Sequence, residues 1–249
     1  MAVRVFSVCL SLMFLVACGE KKEESGPKPL VVITSPDSPP FEFKDTAHTG
    51  DEIIGFDIDV IKKIAEHLGR PLKIVEADFS SLIPSLQSGR ADMAIAYISA
   101  TDERKKSVDF SDPYYIAKKD LLILESSPLS SEKELEGKKV AVQLGSASEM
   151  MAKEWAKEIP GLSIVALNKI GDLVQELKNN RVQAVLAEDI VVKRVMASTP
   201  GLKVIPLDNS GDSLAIAFPK GSPLVPQVNE ALKKMKGDIQ QLEVKWMIQ

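Results

Sequence analysis

The sequence predicts an α/β protein of two similar lobes with a polar cleft between them, and three observations lead there. Short strand-type apolar runs alternate with helical periodicities along the whole body, which implies largely parallel sheets with covered faces. One helix–turn–strand unit recurs, because Leu86-Gln87-Ser88-Gly89-Arg90-Ala91-Asp92-Met93-Ala94-Ile95-Ala96 has the cadence of Leu177-Lys178-Asn179-Asn180-Arg181-Val182-Gln183-Ala184-Val185-Leu186-Ala187. Each copy then runs into polar residues, Ser99, Thr101 and Arg104 in the first and Glu188 and Asp189 in the second. Open α/β sheets take ligands at that carboxyl end of their strands, and clefts between lobes are common small-molecule sites. Shared composition of helix–turn–strand units also produces such an echo by chance.

The elements follow in order. Leu30-Val31-Val32-Ile33 reads as a buried strand, closed by the turn cluster from Thr34 to Pro40. Val60, Ile61, Ile64, Ala65 and Leu68 repeat at helical spacing, and Gly69 stops that helix before Pro71. Leu72–Val75 is a strand, Ser80 or Ser81 caps a short helix that tolerates Pro84 in its first turn, and Met93–Ile98 is the next strand. Lys139–Val142, a helix around Met150–Ala156, and strands at Ser163–Ala166 and Val182–Leu186 complete the second half.

Composition narrows the chemistry. The 249 residues are 45% apolar and 27% charged with a net charge of −4, so the chain is a soluble globular type without a nucleic-acid footprint. Two cysteines cannot build a disulfide scaffold or a Cys-rich zinc module. His48, in a turn, and His67, on a helix, read as surface residues, and two histidines leave little for a metal site or a hydrolase triad. No phosphate-cradling glycine loop occurs. Neither a metal nor a cofactor is expected, and the chain reads as a non-enzyme.

The amino terminus reads as an address. Arg4 precedes the apolar run from Val5 to Val16, which is too short to span a bilayer but fits the h-region of a signal peptide. Leu15-Val16-Ala17-Cys18 resembles a bacterial lipobox, so residues 1–17 are expected to be removed and Cys18 to carry lipid; a plain signal peptide with an incidental cysteine is the alternative. Residues 18–29 are polar and rich in charge, Gly and Pro, hence a flexible tether. The expected location is outside a bacterial cytoplasmic membrane, anchored through the lipid.

Individual residues leave two readings each. Arg104 either offers its planar guanidinium to a carboxylate, with Ser99 adding a hydrogen bond, or pairs with Asp102 or Glu103 at the surface. Ser146, after Gly145 and before a helix, either helps bind an anion or is a plain N-cap. Glu188 and Asp189 either balance an ammonium or favour the start of a helix. Phe79 and Tyr97 either wall a ligand or belong to the core.

Several segments in order carry the reading further. Pro40-Phe41-Glu42-Phe43 with Gly55-Phe56-Asp57-Ile58-Asp59-Val60, then Asp78–Leu86, Ser99–Lys106, Asp109–Tyr115, Gly137–Val142 and Ala217–Ser222, resemble the bacterial solute-binding proteins for polar amino acids, the extracytoplasmic subunits of ABC importers. The resemblance runs from about Leu30 to Trp246. It implies a type II periplasmic-binding-protein fold, with lobe 1 at 30–114 and 215–249, lobe 2 at 119–209, and crossings at about 114–118 and 210–214. It also implies a monomer that closes on a free amino acid and delivers it to an ABC permease. By position, Arg104 clamps the ligand carboxylate with Ser99 and the backbone around Tyr97, and Ser146 and Ala147 add donors from lobe 2. Glu188 takes the ammonium, Phe79 packs on the ligand side chain, and Asp57 faces the side-chain subsite, which slightly favours a basic ligand such as arginine.

This chain departs from the family at the pocket. Ser35 and Ser38 stand where many relatives carry an acid and an aromatic ring, Tyr97 where they often carry a small residue, and Gln143 where some carry a lysine. Glu188 is one methylene longer than the usual aspartate. A dehydratase of cyclohexadienyl acids on the same fold, with Glu188 as the acid, is one alternative; a ligand-sensing subunit for a signalling receptor is another.

Overall fold

In the computed structural model, the described residues are 26–46, 48, 50–208 and 211–247. The expected leader, Cys18 and most of the tether lie outside them. Two five-stranded sheets form the two lobes. The first has the order Leu72–Glu76, Leu30–Thr34, Met93–Ala94, Ala217–Pro219, Val108–Phe110; the second has the order Ser163–Leu167, Lys139–Gln143, Ala184–Glu188, Lys119–Leu124, Leu202–Pro206. The chain leaves the first lobe through Tyr115–Ala117 and returns through Asp212–Leu214, and these two segments pair antiparallel.

The sheets are mixed, which corrects the expectation of largely parallel ones. The first three strands of each order run parallel, and the fourth runs against both its neighbours. That fourth strand, Ala217–Pro219 or Lys119–Leu124, is in each lobe the one that follows a crossing. The echo has a structural counterpart: Met93–Ala94 and Ala184–Glu188 occupy the middle of their sheets. The preceding helices, Leu82–Gln87 and Ile170–Lys178, end alike, on Gly89 (φ 70°) and Asn180 (φ 57°). Arg90 N–H returns to Ser85 O and Arg181 N–H to Glu176 O, closing the last turn through a left-handed residue.

The motifs explain how the first lobe is wired. Helix Phe56–His67 buries Phe56, Ile58, Val60, Ile61 and Ile64 on one face, and its first N–H groups, of Phe56 and Asp57, donate to Pro40 O and Phe41 O. Gly55 is the point of closest approach: at φ 132° its missing Cβ would lie 2.1 Å from Phe41 O, so only glycine joins the two segments. The carboxyl-terminal helix Lys236–Met247 returns to this lobe, where Trp246 Nε1 donates to Asp59 Oδ2 at 2.8 Å. The second lobe packs its own core around Leu121, Val140, Val142 and Leu186.

One predicted strand is shorter than expected. The ladder from Met93 stops at Ala94, although Ile95 N–H still reaches Ile33 O at 3.2 Å. Tyr97 adopts φ 36°, a left-handed conformation that no pleated strand accommodates, and Ser99 resumes only as an isolated bridge to Leu214.

Candidate ligand-binding cleft

The polar residues that follow the two central strands face one another across the gap between the lobes. Arg104 sits on the short helix Asp102–Lys105, capped by Thr101, whose Oγ1 accepts from Arg104 N at 3.3 Å. Its side chain turns inward and is only 8% exposed. It donates through Nη1 to Ser99 O of its own lobe and through Nη2 to Gly145 O of the other, each at 2.8 Å. The guanidinium carbon also lies 5.4 Å from the centre of the Phe79 ring. Neither Asp102 nor Glu103 pairs with it; they bind Lys105 and Lys106. Among the described residues no carboxylate lies within ion-pair distance of Arg104. Burial pulls its pKa down to about 10, partly offset by the charges of Glu188 and Asp212.

Glu188 ends the central strand of the second lobe and is 4% exposed. Tyr97 Oη donates to its Oε2 at 2.7 Å, and Ser148 Oγ reaches Oε1 at 3.4 Å. Burial raises the carboxyl pKa, partly offset by Lys119, its cross-strand neighbour. Tyr97 is 3% exposed and stacks on Phe41 with centroids 5.2 Å apart; the Phe79 ring lies 6.3 Å away. The Tyr97 ring thus reaches from the first lobe to Glu188 of the second, and the Ser38 hydroxyl reaches Asp37.

Asp57 explains why Tyr97 holds its unfavourable backbone. Its Oδ2 accepts Tyr97 N–H at 2.6 Å, and both its oxygens accept from Tyr114 Oη, at 2.9 and 3.0 Å. Burial raises its pKa to about 6 against those lowering contacts. Glu42, opposite Ser38 in the hairpin, is fully buried and neither carboxyl oxygen has a hydrogen-bond partner. Burial and the nearby Asp57, Asp37 and Glu188 push its pKa well up. The Gln143 Oε1 of the facing lobe is likewise buried without a partner.

The remaining predicted residues fall as follows. Ser146 caps helix Ala147–Glu158, its Oγ accepting from Glu149 N at 3.0 Å, and Ala147 is the first, buried, residue of that helix. Ser99 Oγ donates to Asp212 in the return crossing, and the buried Lys119 pairs with the same carboxylate. Phe79, Arg104, Gly145, Ser146, Met150 and Lys153 line a cavity of about 300 Å³ at one flank of the cleft. A larger cavity, about 570 Å³, lies beside the crossings along Ser99, Thr101, Asp109, Asp212 and Ser213, and neither Arg104 nor Glu188 lines it. Among the described residues no group of acidic, histidine or cysteine side chains is placed to hold a metal ion.

Sequence reasoning missed Asp37, Lys119 and Asp212. The first sits within a proline-rich turn cluster and the other two at crossings, where no local periodicity marks a buried charge.

Two lobes joined by two crossing segments, with a buried cation and a buried acid facing one another, define a two-lobed binding protein. The chain belongs to the bacterial extracellular solute-binding proteins, family 3, whose profile matches residues 30–249. It is 41% identical over 239 residues to the arginine-binding extracellular protein ArtP of Bacillus subtilis (strain 168), covering 93% of this chain and 92% of that one. Among solved structures, an ancestral arginine-binding protein bound to arginine matches with a TM-score of 0.83 and 39% identity, covering 88% of this chain and 97% of that one. The substrate-binding protein of an amino-acid ABC transporter matches with the same TM-score and 41% identity, covering 88% and 99%. No helix among the described residues is long and apolar enough to cross a membrane.

Proposed function

We propose that this protein is the substrate-binding subunit of an amino-acid ABC importer and that it takes one free amino acid, a basic one first, between its lobes. The observation that carries this reading is Arg104: a nearly buried guanidinium in the cleft that touches carbonyls of both lobes and lacks a carboxylate partner. A buried charge without its counter-ion is costly, and an α-carboxylate supplies that counter-ion bidentately. Glu188, on the facing strand, is the acid for the α-ammonium, so the two groups match the two ends of a zwitterion.

In this reading Ser99, Ser146, Ala147 and the backbone at Tyr97 surround the carboxylate, and Phe79 and Tyr97 flank the aliphatic part of the ligand. Tyr97 substitutes for the ring missing at Ser38. The preference for a basic side chain rests on the surplus of buried acid at Glu42, Asp57 and Glu188, and on the arginine named for ArtP and for the ancestral protein. Asp57 acts mainly by holding Tyr97, and the buried Glu42 carboxyl lies beside it.

The mature form begins at Cys18, lipid-anchored through a tether, and works as a monomer beside a permease. Lobe 1 comprises 30–114 and 215–249, lobe 2 comprises 119–209, and the hinges are 114–118 and 210–214. A thermal-shift screen against the common amino acids, prephenate and small peptides tests the reading. Ligand at a hundred times its Kd adds about 2.7 kcal/mol, readily seen as a rise in Tm. A rise with arginine or lysine fits; turnover of prephenate, or no rise with any amino acid, would replace it.

A further inference from the structure

Helix Ile170–Lys178 of the second lobe begins without a cap of its own. Its N-cap residue is Lys169, which has no acceptor to offer, and no side chain of the same lobe accepts from its first turn at that position. The acceptor comes from the other lobe. Asp37, in the hairpin strand Asp37–Ser38, takes Ile170 N–H on Oδ2 at 3.0 Å, and the same oxygen receives Gln143 Nε2 at 3.2 Å. Ser35 and Ser38 hydroxyls steady the other oxygen, at 3.2 and 3.3 Å. In the two residues just before Ile170, Asp78 of the first lobe binds Lys169 Nζ at 2.8 Å and Asn168 Nδ2 at 3.2 Å. Three consecutive residues at the positive end of one helix are therefore clasped by two carboxylates of the opposite lobe.

We propose that Asp37 is the closure latch of this protein: it caps helix Ile170–Lys178 across the cleft only when the lobes are shut, with Asp78 as the outer half of the clasp. Opening the lobes strips the helix of its cap and leaves the Gln143 amide without that acceptor, so these contacts weight the equilibrium towards the closed form without touching the ligand. Apparent affinity scales with the fraction of protein in the binding-competent form, so the latch raises affinity for every ligand by one common factor. Asp37 is thus a positioning residue. The inference rests on the reading of the cleft as one that closes on a ligand.

The test uses stopped-flow dissociation rates for several amino acids in the wild type, Asp37→Ala, Asp37→Asn and Gln143→Ala, together with small-angle scattering of each protein without ligand. A latch predicts that Asp37→Ala raises every dissociation rate by the same factor, roughly tenfold for one cap and one buried hydrogen bond. Asp37→Asn falls between, because asparagine still caps a helix. Gln143→Ala, the opposite half of the contact, gives a smaller common rise and guards against misfolding of the Asp37 variants. Loss confined to one ligand would make Asp37 a ligand contact and overturn the latch, as would unchanged rates in both alanine variants. If no amino acid binds, the importer reading fails on its own, and scattering decides the latch: a larger radius of gyration in Asp37→Ala supports it, and identical radii reject it.

Discussion

Tyr97 and Glu188 occupy matching places in the two copies of the repeated unit, and they meet: Tyr97 Oη donates to Glu188 Oε2 at 2.7 Å. The offset that relates Leu86 to Leu177 also relates Gly89 to Asn180 and Tyr97 to Glu188. Tyr97 follows the central strand of the first lobe and Glu188 ends that of the second, so the two strand ends are joined through one hydrogen bond across the cleft. Burial and the facing carboxylate push the Tyr97 hydroxyl well up, so it stays a donor across the ordinary pH range.

Tyr97→Phe keeps the ring on Phe41 and deletes only that bond. Hydrogen bonds to charged groups are worth about 1.5–3 kcal/mol, so ligand affinity is expected to fall about ten- to a hundredfold with little change in the Tm of the free protein. Calorimetry beside a melting curve reads both. A large fall in Tm with unchanged affinity would assign the bond to folding instead of to the bound form.

Arg104→Ala is expected to cost about 2–5 kcal/mol of binding free energy, the range for truncating one member of a buried charge pair. The free protein should lose little stability, because the guanidinium it removes has only two carbonyl acceptors and no counter-ion. Agmatine, which keeps the guanidinium of arginine and lacks its carboxylate, should bind the wild type no better than this variant binds arginine.

Much of this was legible in the sequence because the informative segments are local. The two segments Pro40–Phe43 and Gly55–Val60 stood out together in the sequence, as did the helix-ending turns after Leu86 and Leu177, although the contact of Gly55 with Phe41 that joins the segments came only from the structure. Arg104 and Glu188 were picked out by their position after a strand. The Ser146 hydroxyl takes the N-cap role that its place before a helix allowed, whereas the fate of Ser99 was not legible, because its partner Asp212 is supplied only by the tertiary fold. The end of the strand at Ala94 was hidden for the same reason, since the φ of Tyr97 is held by Asp57, far away in the chain. Asp37 looked like a turn residue and is the acceptor for a helix in the other lobe.

Gly145→Ala probes closure from the other side. At φ 78° a Cβ on Gly145 would lie 3.1 Å from Ser80 Cα, which belongs to the opposite lobe. The left-handed backbone costs an alanine roughly 1–2 kcal/mol wherever the lobes stand. The contact with Ser80 acts only when they shut. Strain therefore lowers the stability of the free protein and cancels in binding, whereas the Ser80 contact lowers affinity, which paired denaturant melts and calorimetry separate; a loss of stability with unchanged affinity would mean that strain alone accounts for the variant.

Asp57 fixes a pH dependence. Burial raises its pKa from 3.8 to about 6, so the folded chain holds this proton over a pH window in which the unfolded chain has released it. Its contribution to stability is present at the acid end of that window and is lost as pH rises through about 6, about 3 kcal/mol across the whole span. Glu42 and Glu188, also raised by burial, act in the same direction. The Tm of the wild type should fall from pH 5 to pH 7.5, and Asp57→Asn should flatten the slope; an equal slope in the variant would place the titrating group elsewhere.

The most direct test of the central claim is titration calorimetry of the purified protein with L-arginine, repeated with Arg104→Ala. The account predicts a saturable heat at one arginine per chain in the wild type, and affinity lowered by at least thirtyfold in the variant, the low end of the range above. Equal affinity in both proteins, or no heat with arginine or any other amino acid, would contradict it.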